Sequence, residues 1–140
     1  MLKNSDELNG MREAGKLAAE VLEMITDYVK PGISTGELDE ICFKYITDVQ
    51  KAIPANVGYR GFEKTLCTSI NQVICHGIPD TNRILKSGDI MNIDVTVIKD
   101  GWHGDTSKMF LIGKAQSHNE RLVRVTPVSY THLRAHETRT

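Results

Sequence analysis

Between residues 5 and 29 the apolar positions Leu8, Met11, Ala14, Leu17, Ala18, Val21, Leu22, Ile25 and Val29 recur every three or four residues. That spacing stacks them on one face of an α-helix. The pattern predicts a helix from Ser5 to about Val29, ended by Pro31-Gly32, because proline brings no N–H to the ladder and glycine lets the chain reverse. Ser34 followed three residues later by Glu37 makes a capping box, and Leu38, Ile41, Tyr45, Ile46 and Val49 form the buried stripe of a second helix that stops before Pro54. The period then falls to two. β-prone runs are predicted at residues 66–70 and 73–76, turns at 77–80 and 86–89, and a final hairpin that runs on to Ile112. Two helices ahead of a set of antiparallel strands predict an α+β domain, with the helices covering one face of the sheet.

The final hairpin carries the most specific local signal. Asp100-Gly101 between β-prone runs suits a two-residue primed turn, which needs positive φ. Lys99 then pairs with Trp102, Thr96 falls opposite Asp105, and alternation points Asp94 to the same face as Thr96. Asp94 and Asp105 thus become diagonal neighbours, with backbones roughly 7–8 Å apart, near enough for two short carboxylates to share a cation or bridge two. A loop of odd length would turn Asp105 away. Taken alone, such a pair more often marks a solvated hairpin face.

Composition adds bounds rather than a function. The chain has 140 residues, 40% hydrophobic and 25% charged, which is enough for one domain with a core or for half of a larger one. A net charge of −1 with interspersed signs leaves no electrostatic footprint for DNA, RNA or an anionic membrane. Cys42, Cys67 and Cys75 are odd in number and lack Cys-x-x-Cys spacing, so they read as reduced thiols rather than a disulfide framework or structural zinc site. Charged residues Asp6, Glu7, Arg12 and Glu13 occupy the region where a secretory signal needs an apolar run, and no stretch of about 18 apolar residues exists. A cytoplasmic protein is expected.

From Pro127 to Thr140 the apolar periodicity disappears and His132, Arg134, His136 and Arg139 crowd together. This stretch resembles translated adapter or vector sequence and is expected to stand outside a domain spanning residues 1–126. His132 and His136 are spaced like a helical zinc pair, but Leu133 stands where a metalloprotease needs glutamate.

Two carboxylates are too few for a hydrolytic metal centre, and no other acidic or imidazole cluster of suitable spacing precedes Pro127. His76 lies at the end of a predicted strand just before Gly77-Ile78-Pro79, where its ring would project from a rigid edge toward a pocket. A lone histidine there is more often structural. His103 shares the face of the two aspartates or lies on the surface near the turn, and His118 sits in a polar loop.

The runs Thr68-Ser69-Ile70-Asn71, Cys75-His76-Gly77-Ile78-Pro79-Asp80, Asn92-Ile93-Asp94-Val95-Thr96-Val97 and Gly101-Trp102-His103-Gly104-Asp105-Thr106-Ser107 resemble, in order and spacing, type I methionine aminopeptidases of the bacterial kind. The likeness covers Met1 to about Thr126. It implies the first half of a pita-bread fold, in which two pseudo-symmetric halves surround two divalent metal ions (cobalt, manganese, iron or zinc). By position it implies that Asp94 is a bidentate ligand to one ion and Asp105 bridges both. His76 would be the catalytic histidine that hydrogen-bonds substrate near the scissile peptide, without ligating metal. Tyr59, Phe62, Cys67 and Cys75 would build the substrate pocket for a methionine side chain, and Asn71 and Val73 would offer carbonyls to one monovalent cation. Plain core is the alternative for the four pocket residues.

The implied partner is the N-terminal methionine of nascent polypeptides, with transient ribosome contact, no DNA, no membrane and a monomeric intact form. A histidine and two glutamates of the family's second half, one of them the general base, have no counterpart in this chain. The chain alone is therefore expected to be inactive, with its sheet edge open to water. A non-catalytic pita-bread module that binds peptides or proteins is the other class, disfavoured because such relatives usually lack the acids kept here at 94 and 105. A proline-specific peptidase or creatinase is disfavoured because a helix near residue 5 leaves no room for an N-terminal domain.

Overall fold

The computed structural model describes residues 4–137, with side chains through Pro127. Helix α1, Ser5–Thr26, is followed by α2, Thr35–Lys44; then come strands β1, Ile53–Pro54, β2, Leu66–Ile70, β3, Ile90–Lys99, and β4, Trp102–Leu111, before α3, Ser117–Glu137. The α+β order matches the expectation, and both leading helices begin with reciprocal caps. Asn4 accepts the Glu7 N–H at 2.9 Å while the Glu7 carboxylate accepts the Asn4 N–H, and Ser34 and Glu37 do the same at 3.1 and 2.9 Å. Each box satisfies donors that a helix start would otherwise leave orphaned.

Helix α1 ends at Thr26, short of Val29, which packs against the core from the following loop. Periodicity recorded the burial of Val29 rather than its helicity. The helical path after α2 widens into one π turn, Tyr45–Val49, closed by the Gln50 N–H to the Tyr45 carbonyl. An i→i+5 turn carries one extra residue, so the stripe rotates: Ile46 stays fully buried while Val49 is 65% exposed, contrary to its predicted burial.

Strand β3 is the spine of the antiparallel sheet. Ten register pairs from Ile90↔Leu111 to Lys99↔Trp102 join it to β4, while β2 and the short β1 share its other edge. Ile93, Val95 and Val97 point to the helices and are fully buried among Val21, Ile25, Leu38 and Leu66. The intervening Asp94 and Thr96 face away and are half-buried. One face of β3 thus builds the core, and the other is free for chemistry.

Residues 73–76 are not a strand, which corrects the sequence expectation. Asn71 adopts φ 53°, the Val73 N–H closes a tight turn on the Ile70 carbonyl, and the chain returns beside β2 through one bond from the Thr68 N–H to the Gly77 carbonyl. Ile74, 95% exposed, has no surface to cover, so its β propensity yields no burial. The turn at 86–89 is present, with the Asp89 N–H bonded to the Lys86 carbonyl. Helix α3 continues through Pro127.

Asp39 ties α2 to the sheet. Its buried carboxylate accepts the N–H groups of Thr65 and Leu66, both at 2.8 Å, where β2 begins. Burial raises its pKa above the ordinary aspartate value, and the two N–H groups and Lys64 oppose that rise. Asp39→Ala is expected to cost about 2–3 kcal/mol by stranding two buried donors, and Asp39→Asn, which keeps an acceptor, less than half of that. Urea unfolding followed by circular dichroism measures both.

Candidate active site

The sheet face opposite the helices opens into a cavity of about 570 Å³ lined by Asp94, Asp105, His76, Tyr59, Phe62 and Cys67. The register explains the first two. Thr96 pairs with Asp105 and Asp94 with Ser107, so Asp94, Thr96 and Asp105 share the open face. Gly104 faces helix α1 and is buried against it, which leaves its neighbour Asp105 directed outward and exposed. The Thr96 hydroxyl donates to Asp105 Oδ1 at 3.2 Å, fixing one carboxylate oxygen.

The two carboxylates feel each other. Burial, then the negative charge of Asp105 and a hydrogen bond shared with it, hold the Asp94 pKa above the ordinary value, while His76 pulls it down. A cation would relieve the repulsion that Asp94 feels, and the oxygens of both carboxylates suit a hard or borderline divalent ion. The donor type fits such an ion. Among the described residues, however, no group of three or more His, Cys, Asp or Glu side chains gathers to hold one.

His76 reaches the cavity from the returning segment rather than from a strand end. Its backbone is left-handed, φ 55°, and Gly77 beside it lies so close to β2 that a Cβ would overlap the Thr68 carbonyl. The Gly77 N–H also donates to Ser69 Oγ at 3.2 Å. Glycine at 77 lets the chain hug the sheet and thereby brings His76 to the cavity that the two aspartates also line.

Cys67 pairs across the ladder with Asp94. Burial, followed by the charges of Asp94 and Cys75, raises its thiol pKa, so Cys67 presents a neutral, polarizable wall. Cys75 is exposed and outside the cavity lining, though near enough to influence Cys67. Asn71 and Val73 also lie outside the lining, in the turn after β2; the Asn71 side chain bonds Asp89 Oδ1 and the Ile90 N–H. His103 pairs with Ile98, and His118, expected in a polar loop, lies instead in the first turn of α3, where it borders a second hollow. The side chains of His132 and His136 fall outside the described residues.

Four lining residues were not read as part of the site: Asn56, Arg60, Ile78 and Thr96. Thr96 was legible, since the register that pairs it with Asp105 also places it in the cavity. Arg60 and Asn56 lie in the irregular stretch around Gly58 and Gly61, both at φ 84°, where no period exists to read.

The profile of metallopeptidase family M24 matches residues 9–133. The chain is 61% identical over 128 residues to the methionine aminopeptidase of Escherichia coli strain K12, covering 91% of this chain and 48% of that protein. It is 54% identical over 125 residues to the methionine aminopeptidase of Buchnera aphidicola from Acyrthosiphon pisum, covering 89% and 47% respectively. The crystal structure of methionine aminopeptidase from Rickettsia prowazekii superimposes with a TM-score of 0.87 at 52% identity, covering 90% of this chain and 50% of that one. The α+β arrangement is thus half of a pita-bread fold, and the chain spans about half the length of the curated relatives it matches.

Proposed function

Because the chain belongs to metallopeptidase family M24, we propose that it forms the half of a methionine aminopeptidase that carries Asp94, Asp105 and His76. The whole enzyme hydrolyses the first peptide bond of newly made proteins and releases methionine. The observation that carries this reading is the convergence of two mutually repelling carboxylates and a histidine on one partly apolar cavity.

Asp94 and Asp105 would hold a pair of divalent ions, cobalt, manganese, iron or zinc. Such ions, when bound, supply Lewis-acid polarisation of the peptide carbonyl and activation of a water. His76 donates a hydrogen bond to the substrate beside the scissile bond, and Thr96 keeps Asp105 oriented. Tyr59, Phe62 and Cys67, which line the cavity, receive the methionine thioether, which suits polarizable and aromatic surroundings, and Cys75 bears on the pocket only through its influence on Cys67. Carbonyls of Asn71 and Val73 hold one monovalent cation. The enzyme works in the cytoplasm as a monomer that meets nascent chains near the ribosome; no described helix is long and apolar enough to cross a membrane.

A histidine and two glutamates from outside these residues complete the metal site in this reading. The 140-residue chain by itself therefore recognises methionine without cleaving it. Titration with Met-Gly-Met is expected to shift the NMR signals of Phe62 and Cys67 while Lys-Gly-Met does not, and no methionine is released with manganese or cobalt present. Equal binding of both peptides sinks the assignment of the pocket; released methionine sinks the inactivity of the isolated chain.

A further inference from the structure

Among the described residues Arg60 is the one arginine or lysine that lines the cavity, and nothing in the proposed chemistry uses it. Its backbone is left-handed, φ 50° and ψ 33°, in a short 3-10 turn between Gly58 and Gly61. Such a conformation costs a non-glycine residue on the order of 1 kcal/mol. Of the five described non-glycine residues with positive φ, two, Arg60 and His76, line this cavity.

The exposed guanidinium has an aromatic neighbour. Arg60 Cζ stands 5.4 Å from the centre of the Tyr59 ring, within cation–π range, and Tyr59 is itself a lining residue. Among the described residues no carboxylate forms an ion pair with Arg60; the ion pair they contain is Lys16–Glu20. The cavity therefore carries both signs, negative at Asp94 and Asp105 and positive at Arg60. A short peptide has the complementary layout when an acidic group follows its ammonium terminus closely.

We propose that Arg60 is a specificity residue that favours peptides carrying a carboxylate within the first few positions after the leading methionine. The inference rests on the peptide-binding reading of this cavity and adds a preference to it. The long arginine side chain spans one or two residues of extended peptide, so the second or third position is in reach. The carboxylate is supplied by an acidic side chain or by the terminus of a very short peptide. Guanidinium recognises both in the same way.

The test titrates the 140-residue chain at low ionic strength with C-terminally amidated Met-Gly-Asp, Met-Gly-Asn and Lys-Gly-Asp, and with free-acid Met-Gly-Asn. Met-Gly-Asp amide is expected to bind about threefold more tightly than Met-Gly-Asn amide, as befits a solvent-exposed ion pair. The ratio should approach one at about 0.5 M salt. A gain confined to free-acid Met-Gly-Asn supports the same guanidinium recognition, with the chain terminus as its source. Arg60→Gln is expected to abolish the preference and Arg60→Lys to keep part of it, while both retain the preference for methionine over lysine in first place. Equal binding of all three Met-Gly peptides by the unsubstituted chain overturns the role of Arg60 and leaves the methionine pocket standing. Loss of discrimination between Met-Gly-Asp and Lys-Gly-Asp, or no measurable binding of any peptide, overturns both.

Discussion

Replacing Gly104 with alanine is expected to remove cooperative unfolding near ambient temperature or to lower stability by about 3–5 kcal/mol. Strand β4 meets helix α1 backbone to backbone at this point. A Cβ on residue 104 would overlap the carbonyl of Ala14, a fully buried residue, and stand 2.6 Å from the Gly15 nitrogen. A flexible side chain could step aside, whereas these atoms belong to the helix ladder. Relief requires α1 to lift off the sheet, which opens the packing of Leu17, Ala18 and Val21. The matched control is Gly15→Ala, whose Cβ would meet nothing within 4 Å. It should be neutral or stabilising by up to about 1 kcal/mol through helix propensity. Thermal melts of the two variants therefore separate contact geometry from the general effect of a methyl group. A cooperative Gly104→Ala chain melting within a few degrees of the unsubstituted one would refute the close-approach account.

The same geometry explains what could be read in advance. Local rules sufficed for the Ser34–Glu37 cap and for the hairpin register that pairs Thr96 with Asp105, because each depends on a few adjacent residues. They failed at residues 73–76 and at Val49. In the first case the left-handed Asn71 and the packing of Gly77 under Thr68 override β propensity; in the second, a π turn shifts the phase of an otherwise regular stripe. Both are tertiary effects with no local period. At the cavity, Asp94 and Asp105 were legible as a pair from alternation, whereas the proximity of His76 depends on a return of the chain that spacing cannot announce. Of the residues that family resemblance singled out beside the aspartates, His76, Tyr59, Phe62 and Cys67 line the cavity, whereas Cys75, Asn71 and Val73 do not. Arg60 and Asn56 escaped because their loop has no pattern and the resemblance assigned them nothing.

Asp105→Asn is expected to make the metal-free chain more stable and divalent-ion binding much weaker. Burial and the charge of Asp105 both keep the folded Asp94 pKa above its usual 3.8. The folded chain therefore holds a proton on Asp94 at pH values where the unfolded chain has already released it. Stability falls as pH rises from about the ordinary value through the folded pKa, and the deficit is complete above it. Asparagine at 105 removes the repulsion but not the burial, so Asp94 should titrate lower, though still above normal, and the chain should melt about 2 °C higher at pH 7. Solvent screening at these half-open groups keeps that gain small. Affinity moves the other way. The unsubstituted chain, with two carboxylates and, among the described residues, no third donor gathered beside them, should take up manganese with a Kd on the order of 1 mM, and loss of one charged ligand should weaken this about tenfold or more. Carboxyl NMR titration reads the first effect and manganese-induced relaxation the second. If Asp105→Asn left the Asp94 titration unchanged, the two carboxylates would not be coupled across the hairpin, and if it left manganese relaxation unchanged, the ion would not sit between them.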